Sequence, residues 1–187
     1  DQRLSDREVD TVLDWVLAGA PEGDPSEAPE EETVPDAVRL SRVDLTLGMA
    51  EPWTPRQSPD DYRCFLIDWP YDTTRFVTGF RADPGNRSLV HHVIAFMADP
   101  DKKSTFEAMD ERDPDVGYTC FGGPGELNRG VQWMGSWAPG GLGADFPEGT
   151  GIAVAPGSKL ILQVHYNTLE QAPAPDQTSV SFKIDDT

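Results

Sequence analysis

The chain is poor in histidine, cysteine and positive charge. Of its 187 residues three are His and two are Cys, while 15 Lys and Arg face 33 Asp and Glu for a net charge of −18. A protein that neutralises phosphates needs a basic face, so this deficit excludes a nucleic-acid binder and a binder of anionic membranes. No run approaches the roughly 20 apolar residues of a membrane helix, so no segment is expected to span a bilayer. Hydrophobic residues make up only 37%, yet five Trp, eight Phe and four Tyr supply bulky core material. Such a chain is too aromatic to be disordered throughout. Gly and Pro are abundant, at 17 each, and favour many turns between many short strands.

The two cysteines, Cys64 and Cys120, admit one disulfide or two buried free thiols. The acidic balance suits a periplasmic or extracellular protein, where a disulfide would persist. Seven charges among the first twenty residues (Asp1, Arg3, Asp6, Arg7, Glu8, Asp10 and Asp14) exclude a signal peptide. With no initiating Met, we expect a processed chain or a piece of a longer one.

Residues 4–18 read as an amphipathic helix. Ser5 and Glu8 have capping-box spacing, and Val9, Val12, Leu13, Val16 and Leu17 recur at helical intervals before Gly19 and Pro21 end the pattern. Between Arg7 and Arg39 there is no base but ten acids, and Pro21, Pro25, Pro29 and Pro35 interrupt any regular structure. The expected organisation is an N-terminal helix over 1–20, an acidic Pro-rich linker over 21–36, and one domain over 37–187. In that domain the period shifts to two, with strands expected at 38–47, 62–69, 74–82, 88–97, 131–138, 158–167 and 179–184. Asp83-Pro84-Gly85-Asn86 predicts a hairpin turn. The Asp-, Pro- and Gly-rich stretch 98–130 reads as an excursion without a helix. Seven or more antiparallel strands make a mainly β fold, an antiparallel β-sandwich of jelly-roll-like form with one N-terminal helix.

All three histidines lie in expected strands: His91 and His92 in Ser88–Met97, and His165 in Lys159–Tyr166. Alternation places Leu160, Leu162, Val164 and Tyr166 on one face of the second strand, with Ile161, Gln163 and His165 on the other. In the first strand both alternating sets are apolar, so it is covered on both sides. Its two histidines point to opposite faces unless a bulge intervenes. Burying adjacent imidazoles costs several kcal/mol unless each finds a partner. A shared metal is one such partner, and separate backbone carbonyls are another. Three neutral imidazoles suit copper or zinc and leave an open position.

Val90-His91-His92-Val93-Ile94-Ala95-Phe96, followed by Pro156-Gly157-Ser158 and Leu162-Gln163-Val164-His165-Tyr166, resembles the N-terminal copper domain of the type II, ascorbate-dependent copper monooxygenases. That is the family of peptidylglycine α-hydroxylating and dopamine β-monooxygenases. Asp61-Tyr62-Arg63-Cys64, Phe76–Phe80 and Trp137-Ala138-Pro139 extend the likeness over about residues 40–184. The resemblance implies that His91, His92 and His165 hold one copper through the ring nitrogen nearer the backbone. It implies that Tyr62 orients an imidazole and that Cys64 and Cys120 are bonded, and Gln163, on the face of His165, would also reach the site. The family's copper here stores an electron, with ascorbate or another reductant as donor, and a second domain with its own His-x-His and Met copper site performs hydroxylation. No further histidine exists for that site, and Met49, Met97, Met109 and Met134 read as core or loop residues.

This implies an electron-transfer domain, not competent alone, whose partner is a second copper domain C-terminal to it. The N-terminal helix resembles the closing helix of a c-type cytochrome domain, although the chain has no Cys-x-x-Cys-His. A cytochrome ahead of it is a further expected partner. The alternatives are a non-catalytic copper-holding or interaction module and a three-His zinc hydrolase.

Overall fold

Two units divide the chain, Asp1–Val34 and Pro35–Thr187. The computed structural model describes residues 4–28, 39–125 and 130–186. Part of the expected linker (29–36), the start of the first expected strand and residues 126–129 of the excursion lie outside the described residues. In the first unit, helix α1 spans Asp6–Leu17, and its capping box is made. Ser5 N donates to Glu8 Oε2 at 2.7 Å, and Glu8 N donates to Ser5 Oγ at 3.4 Å. These bonds satisfy backbone donors that lack helical partners. Gly19, at φ 87°, turns the chain out of the helix.

The second unit is a sandwich of two antiparallel sheets, as the period-two pattern implies. Its strands are β1 (Leu45–Gly48), β2 (Asp60–Asp68), β3 (Arg75–Asp83), β4 (Val90–Ala98), β5 (Tyr118–Thr119), β6 (Val131–Trp137), β7 (Ala144–Asp145), β8 (Ile152–Val154), β9 (Lys159–Asn167) and β10 (Ser179–Asp185). One sheet runs β1-β10-β3-β7, with β8 also on β3, and the other runs β5-β2-β9-β4-β6. Among the described residues of the expected first strand, 39–47, only the end is strand, at β1. Asp83-Pro84-Gly85-Asn86 does turn the chain, but it joins strands of different sheets and makes no hairpin. Asn86 N donates to Asp176 Oδ1 at 2.7 Å, which anchors this crossing.

Burial explains why β9 occupies the middle of its sheet. Leu160, Leu162, Val164 and Tyr166 belong to the core between the sheets, with Val77, Phe80, Val93 and Phe182. On the outer face, Ile161 joins a second apolar cluster with Cys64, Phe96, Phe106, Tyr118 and Cys120. Phe106 comes from helix α2 (Lys103–Arg112), which lies inside the stretch expected to hold no helix. No polar side chain caps its N-terminus, so the usual sequence signal for a helix start is missing. Burying Phe106 is what gives this short helix a place.

Cys64 and Cys120 form a disulfide with Cα atoms 5.9 Å apart. It ties β2 to the segment that follows α2 and β5. Arg63 makes a second tie. Its guanidinium pairs with both Asp113 carboxylate oxygens at 2.8 and 2.9 Å and also donates to Val116 O, Gly117 O and Thr119 Oγ1. It packs over the Trp53 ring at 4.3 Å. All five guanidinium N–H groups are thereby used, as burial of an arginine demands.

Candidate metal centre

The site forms where three neighbouring strands of one sheet, β2, β9 and β4, run side by side. Regular alternation would send His91 and His92 to opposite faces of β4. The pairing of β4 with β9 passes from Val90 opposite Tyr166 directly to His92 opposite His165, so His91 is an extra residue at a register shift. This is a bulge of the kind that alternation left as the exception to opposite faces, and it re-aims the strand so that both rings reach the same side. Tyr62 of β2 faces His165 across the other edge of β9.

The ligand atoms of His91, His92 and His165 all lie within 4.8 Å of one another. His92 Nδ1 is 3.2 Å from His165 Nδ1 and 3.5 Å from His91 Nδ1. A metal–imidazole bond of about 2.0–2.1 Å places donor atoms about 3.3–3.6 Å apart in tetrahedral or trigonal coordination. The two spacings from His92 are close to that range, the third pair lies within 4.8 Å, and the nitrogens that converge are those nearer the backbone. The residues present therefore fit a mononuclear metal. One imidazole N–H cannot satisfy two converging nitrogens, whereas a cation accepts all three lone pairs.

The three rings differ in exposure. His91 is exposed, His92 is partly buried and His165 is buried. Burial and the neighbouring imidazoles push the His92 pKa down to about 4. Burial also lowers that of His165, while its bond to Asp60 opposes the shift. The net lowering at both residues favours the neutral ring that a metal requires.

Around His165 the support is close. Tyr62 stacks face to face on it, with ring centroids 4.0 Å apart and planes within 5°. The tyrosine meets this imidazole through its ring face. Phe121, next to the disulfide, packs edge-on against Tyr62 at 4.9 Å. Gln163 is buried on the same face, but its amide donates to Gly123 O at 2.7 Å and approaches Cys120 Sγ at 3.5 Å. It braces the loop after the disulfide, and its amide hydrogen bonds go there and not to an imidazole.

Two contacts escaped the sequence reading. Asp60 Oδ1 lies 2.8 Å from His165 Nε2 and accepts from Asn167 Nδ2 at 3.0 Å. Phe121 completes the aromatic stack. Alternation does put Asp60 on the face of Tyr62, but only the β2–β9 register shows that this face meets His165. On the open side, Arg87, Ser88, Pro139, Asn167 and Glu170 line a surface cleft next to His91.

Among the described residues, no helix is long and apolar enough to cross a membrane. A search of curated proteins finds no match. A sequence profile described as the copper type II ascorbate-dependent monooxygenase, N-terminal domain, matches residues 46–173, a span that contains the disulfide, Tyr62 and all three histidines. The chain therefore belongs to the copper type II ascorbate-dependent monooxygenase family, as its N-terminal domain.

Proposed function

We propose that this chain is the electron-transfer domain of a copper monooxygenase, with His91, His92 and His165 holding one copper ion. The observation that carries the reading is the convergence of three Nδ1 atoms at a bulge, inside the span of the family match. When bound, the ion supplies one-electron redox chemistry between Cu(I) and Cu(II). Neutral imidazoles add no negative charge to the centre, which keeps the reduced ion accessible. The buried His165 fixes one corner of the site, and the exposed His91 leaves a side open to an electron donor such as ascorbate. Tyr62 and Phe121 cover the opposite flank and limit water around His165.

Hydroxylation falls to a second copper domain, C-terminal in this family, and this domain supplies the electron. A c-type cytochrome ahead of α1 would be a second donor, supported by the likeness of that helix to a cytochrome's closing helix. The disulfide and the acidic composition support a periplasmic or extracellular setting. A zinc hydrolase is less well supported. Such an enzyme needs a base next to an activated water, and Asp60 is engaged at the far nitrogen of His165.

The test is reductive cycling of the copper-loaded protein. Ascorbate should bleach the Cu(II) electron paramagnetic resonance signal, and a one-electron acceptor should restore it with one electron per copper. A bound ion that neither reagent changes would contradict the reading.

A further inference from the structure

We propose that Asp60 is a positioning residue that locks His165 in the Nε2–H tautomer, making it the pre-set member of the three-histidine site. The inference rests on the ligand assignment above and adds how one ligand is prepared before any ion arrives. A neutral imidazole carries one proton, and whichever nitrogen holds it cannot bind a metal. Asp60 Oδ1 stands 2.8 Å from His165 Nε2 and also accepts from Asn167 Nδ2 at 3.0 Å. An ionised carboxylate only accepts, so the His165 proton must sit on Nε2. The lone pair is then on Nδ1, the atom 3.2 Å from His92 Nδ1.

Tyr62 fixes the remaining freedom. Stacked within 5° of the imidazole plane, it prevents the ring from tilting away from Asp60. Asp60 and Tyr62 alternate along β2 while His165 and Asn167 alternate along β9, and the register pairs them as Asp60 with Asn167 and Tyr62 with His165. One strand, β2, therefore presents a carboxylate and a ring face to the same imidazole. Among the described residues, His91 and His92 have no carboxylate or carbonyl partner of this kind, and their close approaches, at 3.5 and 3.2 Å, are to other imidazoles. The asymmetry makes His165 the fixed ligand and leaves the bulged pair on β4 to adjust. A carboxylate on the far nitrogen also makes the imidazole a stronger donor, which favours Cu(II) over Cu(I).

The experiment has two arms. In the metal-free protein, nitrogen-15 NMR of the imidazole rings should show His165 as the Nε2–H tautomer. Asp60→Ala should give a mixture of tautomers, whereas Asp60→Asn, which keeps an acceptor oxygen, should retain the wild-type form. In the copper-loaded protein, Asp60→Ala should weaken Cu(II) binding about 10–100-fold. The reduction potential should rise in both variants, by about 59 mV for each tenfold loss of Cu(II) affinity relative to Cu(I). A wild-type Nδ1–H tautomer, or an Asp60→Ala protein with unchanged tautomer and unchanged Cu(II) affinity, would overturn the proposal. Failure of the wild-type protein to bind copper would instead overturn the ligand reading, and the metal-free arm would still decide the role of Asp60.

Discussion

His92 and His165 meet across the β4–β9 ladder at the residue where its register shifts, with their Nδ1 atoms 3.2 Å apart. Regular strand pairing could bring one histidine of the adjacent pair to His165. The bulge brings both, so the site depends on an irregularity in an otherwise continuous ladder. Removing His91 from the chain should therefore do more than delete a ligand: the strand would regain regular register, with Val90 and His92 pairing in succession with Tyr166 and His165. By contrast, His91→Ala leaves the backbone length intact and alters an exposed side chain. We expect it to change metal-free stability by no more than about 0.5 kcal/mol while weakening copper binding. Urea unfolding and a copper titration of the same preparation check both expectations.

Tyr62 contacts His165 through its ring face, so its hydroxyl should be dispensable. Tyr62→Phe is expected to retain copper affinity and the spectrum of the Cu(II) form. Tyr62→Ala removes both the stack and the edge contact with Phe121, a loss of about 0.5–1.5 kcal/mol per aromatic pair beyond simple burial. It should broaden the Cu(II) resonance as His165 gains freedom. Equal effects of Tyr62→Phe and Tyr62→Ala would show that the hydroxyl, and not the stack, matters.

The disulfide closes a span of 56 residues. Loop-closure entropy for that span corresponds to about 4 kcal/mol. The double variant Cys64→Ala/Cys120→Ala should lose stability on that scale in denaturant unfolding. Its copper site should also loosen, since Phe121 follows Cys120 and Gln163 braces the same loop. Retained stability with an unchanged copper site would contradict this role.

Acid should act through Asp113. Hydrogen bonding to Arg63 holds its carboxyl at a pKa of about 2, below the ordinary 3.8. A depressed carboxylate contributes stability above its unfolded pKa and loses that contribution as pH falls toward 2. The contribution should be on the order of 2 kcal/mol near neutral pH. Asp113→Asn should show its largest deficit against wild type above about pH 5, narrowing toward pH 2. Unfolding curves at a series of pH values, compared between the two proteins, measure that convergence.

Much of this molecule was legible before its structure because burial leaves a periodic record. The run Lys159–Tyr166 shows which face of β9 points into the sandwich, and the apolar residues on both faces of β4 show that it is covered twice. Alternation even named a bulge as the condition for the adjacent histidines to share a face. Three features were not legible for identifiable reasons. Helix α2 has no polar cap and exists because Phe106 has an apolar cluster to join. The turn at Asp83–Asn86 has hairpin chemistry but crosses between sheets, because turn residues specify local conformation and not which strand is met next. Asp60 was invisible as a histidine partner because cross-strand register is a property of the pairing, not of either strand alone.

The central claim is that His91, His92 and His165 together hold one copper ion. Metal analysis of wild-type and His165→Ala proteins, reconstituted with copper in the presence of equimolar zinc and then desalted, tests it most directly. One copper and no zinc per wild-type chain is expected, with loss of bound copper in the variant. Full copper stoichiometry in His165→Ala, or zinc in place of copper in the wild type, would contradict it.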